Sequence, residues 1–267
     1  MRWNSFEEAA MRVDLNSDLG ESFGPWPMGD DAAMLGLVSS ANIACGFHGG
    51  DPQVILNACK LALDKGVSIG AHPGFLDLQG FGRRQIVGLS EAEIESFVAY
   101  QIGAVQALAK MAGGKVTHVK IHGAMSNMAC EDDGMAEAIA RAIQAIDSKL
   151  LFVVLPYSAL QRAGEKYGLG MAMELFADRA YEESGLLMSR KKAGSVIHDA
   201  DAAAENVLAM IKNQAITTAS GKRLPTRVDT ICIHSDTPGA VAMARQIRAR
   251  LDREGVEIAP FSSWLKA

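Results

Sequence analysis

Residues 42–72, NIACGFHGGDPQVILNACKLALDKGVSIGAH, read as one strand–helix–strand unit. A short apolar run, Asn42–Cys45, ends in glycines. Asp51-Pro52 then places a capping carboxylate before a proline at the first helical position, and Gly66 marks the helix exit. Between them Val54, Ala58, Leu61 and Ala62 recur at helical spacing. A second apolar run, Val67–Ala71, follows at once. Two buried strands joined through a helix run parallel.

The same alternation extends in both directions. Further candidate strands are Arg12–Asn16, Val116–His122, Leu150–Leu155, Met171–Phe176 and Thr230–His234. They are short and bounded by turn residues, as buried parallel strands are. Ser90 and Glu93 form a capping box ahead of Ile94, Phe97, Val98, Ile102, Val105 and Leu108, and Gly113-Gly114 stops that helix. Thr237-Pro238 opens a last helix, with Val241, Ala244, Ile247 and Leu251 inward, Gly255 at its exit and Asp236 or Thr237 as its cap. Seven strand–helix repeats define a parallel α/β fold, either a closed barrel or an open doubly wound sheet. No Gly-x-Gly-x-x-Gly turn follows the first strand, so the dinucleotide argument for the open sheet is missing. The favoured reading is one barrel-like domain over residues 1–267, with Ala215–Val228 as a surface excursion.

Composition narrows the function. The 267 residues are 49% hydrophobic and 21% charged, a globular balance that excludes disorder. The net charge of −5 is spread without basic runs, which argues against nucleic acid or an acidic membrane as partner. The apolar stretches are far shorter than the ~20 residues that span a bilayer. Glu7 and Glu8 stand where a secretory leader would be apolar, so a cytoplasmic chain is expected. Cys45, Cys59, Cys130 and Cys232 form no Cys-x-x-Cys pair and read as reduced, buried thiols.

Ionisable and polar residues gather near the C-terminal ends of the expected strands, the ends that form the mouth of a parallel barrel. They are Asp14, Asn16, Asp18 and Glu21; Asn42, His48 and Asp51; His72; Lys120, His122 and Asn127; Glu174, Asp178 and Arg179; and His234 and Asp236. Each has a plainer reading. Asp51 caps a helix, and any one histidine can be a satisfied core residue. His118, Lys120 and His122 share one face at a period of two, and a lumenal Lys120 needs a carboxylate, for which Asp14 or Glu174 is available. Gly46–Gly50 precedes a helix N-terminus and suits either an anion or a tight turn. Gly80–Arg84 lies on a long loop of the kind that forms lids, with paired arginines suited to carboxylate or phosphate. No Walker, His-Glu-x-x-His, Gly-x-Ser-x-Gly or kinase signature is present.

Six ordered blocks resemble the LamB/YcsF family: VDLNSDLGES (13–22), NIACGFHGGDP (42–52), GAHPGFLDLQGFGRR (70–84), VKIHGAMSN (119–127), ELFADRAY (174–181) and ICIHSDTPGAV (231–241). The resemblance implies a seven-stranded deformed (β/α) barrel of the glycoside hydrolase/deacetylase type. It also implies the A component of a three-part 5-oxoprolinase, acting beside B and C subunits. That activity is ATP-dependent opening of 5-oxo-L-proline to L-glutamate, using MgATP and giving ADP and phosphate. A homo-oligomer is a further option. Departures from the family pattern fall at Gly74, Ile121, Ser126 and Ser235. Arg190 is kept, but Lys191-Lys192-Ala193 follows it in place of the family's polar–proline run.

Ring opening assigns Lys120 and Arg83 to anion binding. His48, His72 and His122 are the proton-transfer candidates, and Asp51 stands in the catalytic set with them. Asp14, Asn16, Asp18, Glu21, Asn42, Glu174, Arg179, His234 and Asp236 are expected to bind and orient substrate or Mg²⁺. Two alternatives stand beside this one. One is a metal-dependent hydrolase of a related amide or lactam, using Asp14, His48 and His72 around a divalent ion. The other is a non-catalytic substrate-binding subunit.

Overall fold

The computed structural model describes residues 11–236 and 239–266. In chain order its elements are β1 (Arg12–Leu19), α1 (Asp31–Met34), β2 (Ser40–Ala44), α2 (Pro52–Asp64), β3 (Ser68–His72), α3 (Glu91–Met111), β4 (Val116–Lys120), α4 (Gly123–Ala129), α5 (Asp133–Asp147), β5 (Leu151–Val154), α6 (Ala159–Lys166), β6 (Met171–Phe176), α7 (Ala200–Asn213), β7 (Ala215–Thr217), β8 (Arg223–Pro225), β9 (Thr230–Cys232), α8 (Ala240–Arg253) and β10 (Glu257–Ile258).

Strands β1 to β6 pair in parallel with their sequence neighbours, β6 pairs with β9, and β9 pairs back with β1. Seven strands thus close a barrel. The eighth, β10, joins only the first two residues of β1, and β7 with β8 makes a separate antiparallel hairpin within the expected surface excursion. Among the described residues, no helix is long and apolar enough to cross a membrane.

Local chemistry sets the helix starts. Asp51 accepts hydrogen bonds from the Gln53 and Val54 N–H groups and caps α2, and the Ser90/Glu93 capping box opens α3. The last helix begins later than expected. It follows Gly239, held at φ +86°, and among the described residues no side chain caps it, so Asp236 does not have that role. Thr237 and Pro238 lie outside the described residues, as do Glu7 and Glu8.

The barrel wall is two-faced. Val13, Leu15 and Leu19 of β1 join the apolar core beneath the helices. Asp14, Asn16 and Asp18 alternate with them and bond inside the lumen. The lumen is closed at the far end by Phe261, which packs with Leu151, Val153 and Ala172. Its ring meets the His118 imidazole edge-on at 4.8 Å. His118 in turn fills the space beside β3: a Cβ on Gly70 would lie 2.1 Å from that ring, so only glycine fits there.

Candidate active site

β1 is longer than the sequence pattern predicts, and this redistributes its polar residues by depth. Asp14 sits low in the lumen rather than past the strand end. Its carboxylate accepts from Ser39 (2.6 Å), Ser40 (2.7 Å) and Thr230, so it is not the partner of Lys120. Burial pushes its carboxyl up to about 6, against the pull of those hydroxyls. Asn16 forms the next layer. It donates to Glu174 (3.1 Å) and Thr230 (2.7 Å) and accepts from Asn42 (2.7 Å).

Above that layer the charges begin. The buried Lys120 ammonium lies 2.9 Å from both Asp18 Oδ1 and Glu174 Oε1, 3.0 Å from Cys232 Sγ, and 5.3 Å from the centre of the Phe176 ring. Burial works against the ammonium, but the Asp18 and Glu174 charges outweigh it and hold its pKa well above the ordinary value. Burial likewise opposes Asp18, yet His72 and Lys120 hold its carboxyl well below the usual range.

His72 ends β3 and His122 caps α4 without a side-chain cap bond; Glu21 and His48 come from the loops after β1 and β2. These four side chains are all buried. His48 Nε2 lies 3.0 Å from Glu21 Oε1, and His72 Nε2 lies 3.0 Å from His122 Nδ1 and 3.3 Å from Asp18 Oδ2. The His48 and His122 rings stack in parallel at 3.6 Å. Burial, with neighbouring imidazoles, lowers His48 well below its ordinary value and His122 to about 3. Burial and the Asp18 charge raise Glu21. The 73–89 loop covers the cluster. Phe81 packs edge-on to both imidazoles, and Gly82 (φ +62°) presses its backbone so close that a Cβ would lie 2.7 Å from His122.

A cavity of about 700 Å³ opens at this mouth. Asp18, His72, Lys120, His122 and Glu174 line it, together with Arg83, Arg179, Arg190, Lys191 and His234. His234 Nδ1 donates to Asp178 (3.0 Å), which leaves Nε2 to accept from Arg190 (3.3 Å). Arg83 reaches over the mouth to Asp236 at 2.7 Å.

Several expectations change here. Asp51 is a cap on the partly exposed start of α2, its carboxylate taken by Gly24, Gln53 and Val54 N–H groups, and it stands outside the catalytic cluster. The same carboxylate occupies the helix N-terminus after Gly46–Gly50, so the anion reading of that turn gives way to the tight-turn reading. Arg84 pairs with Asp77 and anchors the loop, leaving Arg83 alone of the two arginines at the cavity. Asp14, offered as a metal ligand with His48 and His72, is a layer below them. Arg179 lines the cavity but spends its guanidinium on the Met188 and Ser195 carbonyls. Ser39, Ser40, Thr230 and Lys191 are absent from the expected residues; nothing in their spacing marks them, because only the closed barrel and the 177–199 loop bring them in.

The LamB/YcsF family model matches residues 13–266. A curated protein from Nitrobacter hamburgensis, named as the A subunit of 5-oxoprolinase, is 58% identical over 253 residues, covering 95% of this chain and 99% of its own. Its namesake from Rhodopseudomonas palustris is 58% identical over 252 residues, covering 94% and 99%. The crystal structure of a lactam utilization protein from Thermus thermophilus superposes with a TM-score of 0.89 at 46% identity, covering 93% of this chain and 99% of that one.

Proposed function

The chain belongs to the LamB/YcsF family, and on that premise we propose that it is the A subunit of a multi-subunit 5-oxoprolinase. In this reading it opens 5-oxo-L-proline to L-glutamate while ATP is hydrolysed to ADP and phosphate, together with the B and C subunits. The observation that carries it is full-length identity of 58% to proteins of that name. The buried Lys120–Asp18–Glu174 group at the barrel mouth supports it.

A five-membered lactam is an unreactive amide. Transfer of the ATP γ-phosphoryl group to the ring carbonyl oxygen activates it. Water adds to the carbonyl carbon, and the C–N bond breaks as nitrogen takes a proton. A second water hydrolyses the resulting acyl phosphate to glutamate and phosphate. Such a path needs cations for the transferred group and a means to activate water. The residues at the cavity answer those needs. Lys120, Arg83 and Arg190 are the anion-binding groups, and His72 and His122, with Glu21 buried beside them, are the groups that activate water. MgATP enters as co-substrate with its own cation.

The test is reconstitution with the B and C subunits, following ADP and glutamate release with 5-oxoproline present or withheld. Stoichiometric release of both products, dependent on 5-oxoproline, is the expected result. ADP release that ignores 5-oxoproline, with no glutamate formed, would overturn the reading.

A further inference from the structure

His72 and His122 face each other in a way that neutral imidazoles alone do not explain. His72 Nδ1 lies 2.8 Å from the Lys120 carbonyl oxygen, and His122 Nε2 lies 2.8 Å from that of Phe81. A carbonyl only accepts, so each of these nitrogens carries its ring proton. In neutral rings the remaining nitrogens, His72 Nε2 and His122 Nδ1, are bare lone pairs, yet they stand 3.0 Å apart. A carboxyl oxygen stands beside each of them: Asp18 Oδ2 is 3.3 Å from His72 Nε2, and Glu21 Oε1 is 3.7 Å from His122 Nδ1. Glu21, His72 and His122 each offer a ligand atom within 4.8 Å of the others, and acceptors gathered this closely call for a positive charge between them.

We propose that Asp18, Glu21, His72 and His122 form a binding site for one divalent transition-metal cation. The spacing fits: donors about 2.1 Å from a tetrahedral ion sit roughly 3.4 Å from one another. The outer contacts fit as well, because metal-bound histidines donate their other N–H to a carbonyl or carboxylate, as both do here. Two imidazoles with two carboxylates suit zinc, cobalt or manganese better than calcium or magnesium.

His48 supports the site without being a ligand. Its ring is parallel to that of His122 at 3.6 Å, so an ion in the His122 plane lies outside the His48 plane. Its Nδ1 is buried and, among the described residues, has no partner. An orphaned N–H is the costlier state. The proton therefore sits on Nε2 and is donated to Glu21 Oε1, which orients that carboxyl toward His122. Among the described residues no lysine or arginine pairs with Glu21, so a bound cation would supply the positive partner that its ionised form needs. When bound, the cation would lower the pKa of a water at the cavity floor.

Ligand geometry carries this site independently of the ring-opening reading, and its test reads binding on the full chain alone. The chain is stripped with chelator, checked for its native circular-dichroism spectrum, and titrated with Co²⁺ and with Zn²⁺. One equivalent of each, with a visible Co²⁺ absorption band, is expected. Glu21→Gln should weaken binding at least tenfold and His122→Ala at least a hundredfold, while Asp51→Ala leaves it unchanged. Folded wild-type chain that binds neither ion stoichiometrically would overturn the proposal, whatever the variants do; a proton shared between the imidazoles gives that result. Binding that survives both ligand substitutions in folded protein would also overturn it. Loss of glutamate release by the assembled complex moves neither outcome, so the two readings fail separately.

Discussion

Asp14 and Asp18 lie on the same face of β1, four residues apart, and the barrel drives their carboxyls in opposite directions. The lower one meets hydroxyls and no cation: Ser39, Ser40 and Thr230 hold it, and burial raises it to about 6. The upper one meets Lys120 and His72, and these hold it well below the ordinary range despite the same burial. Residue type and strand periodicity are shared; height in the lumen is not. The closed end therefore uses its polar groups to fill and order the barrel, and the open end concentrates charge where a small molecule can reach it.

The largest expected effect comes from removing the charge that separates the two ends. Lys120→Met leaves Asp18 and Glu174 buried without a cation. Breaking a buried pair in this way costs about 3–5 kcal/mol, readable by urea unfolding. Glutamate release by the assembled complex should fall more than a hundredfold.

At the lower end the effect belongs to stability alone. The Asp14 carboxyl ionises at about 6 when folded, against an ordinary 3.8, so the folded chain holds that proton longer. Its contribution is full below about pH 4 and is lost as the pH rises through 6, a change of at most about 3 kcal/mol. Asp14→Asn should flatten stability between pH 4 and 6, measured by denaturant unfolding at each pH, with turnover within threefold of wild type. A large loss of turnover would erase the distinction between the ends. Smallest is Asp51→Ala, which removes the α2 cap: about 1 kcal/mol of stability and no change in turnover are expected.

The sequence carries the outer half of this barrel openly. Met171–Phe176 has its observed bounds, and Asp51-Pro52 and Ser90/Glu93 mark two helix starts, because apolar period and capping chemistry are local. The lumen is harder to read. Polar residues recur through β1 up to Asp18, so nothing local says that Asp14 belongs to packing and Asp18 to the mouth. The partners that decide it, Thr230 and Lys120, arrive from more than a hundred residues away. Phe261, which plugs the base, stands near the C-terminus with no strand or helix period to announce it. Lys191 sits in a long loop without periodicity, where neither helix nor strand spacing applies. The histidines stand out, because their clustering past short strands survives errors of a residue or two in the strand bounds.

The upper aspartate is the pivot of the open end, and Asp18→Asn tests it most directly. The variant chain, shown to be folded by its circular-dichroism spectrum, is assembled with the B and C subunits, and glutamate release from 5-oxoproline is followed beside wild type and Asp14→Asn. A fall of at least a hundredfold for Asp18→Asn, with Asp14→Asn close to wild type, is the predicted result. Glutamate release by Asp18→Asn within a few-fold of wild type would contradict it.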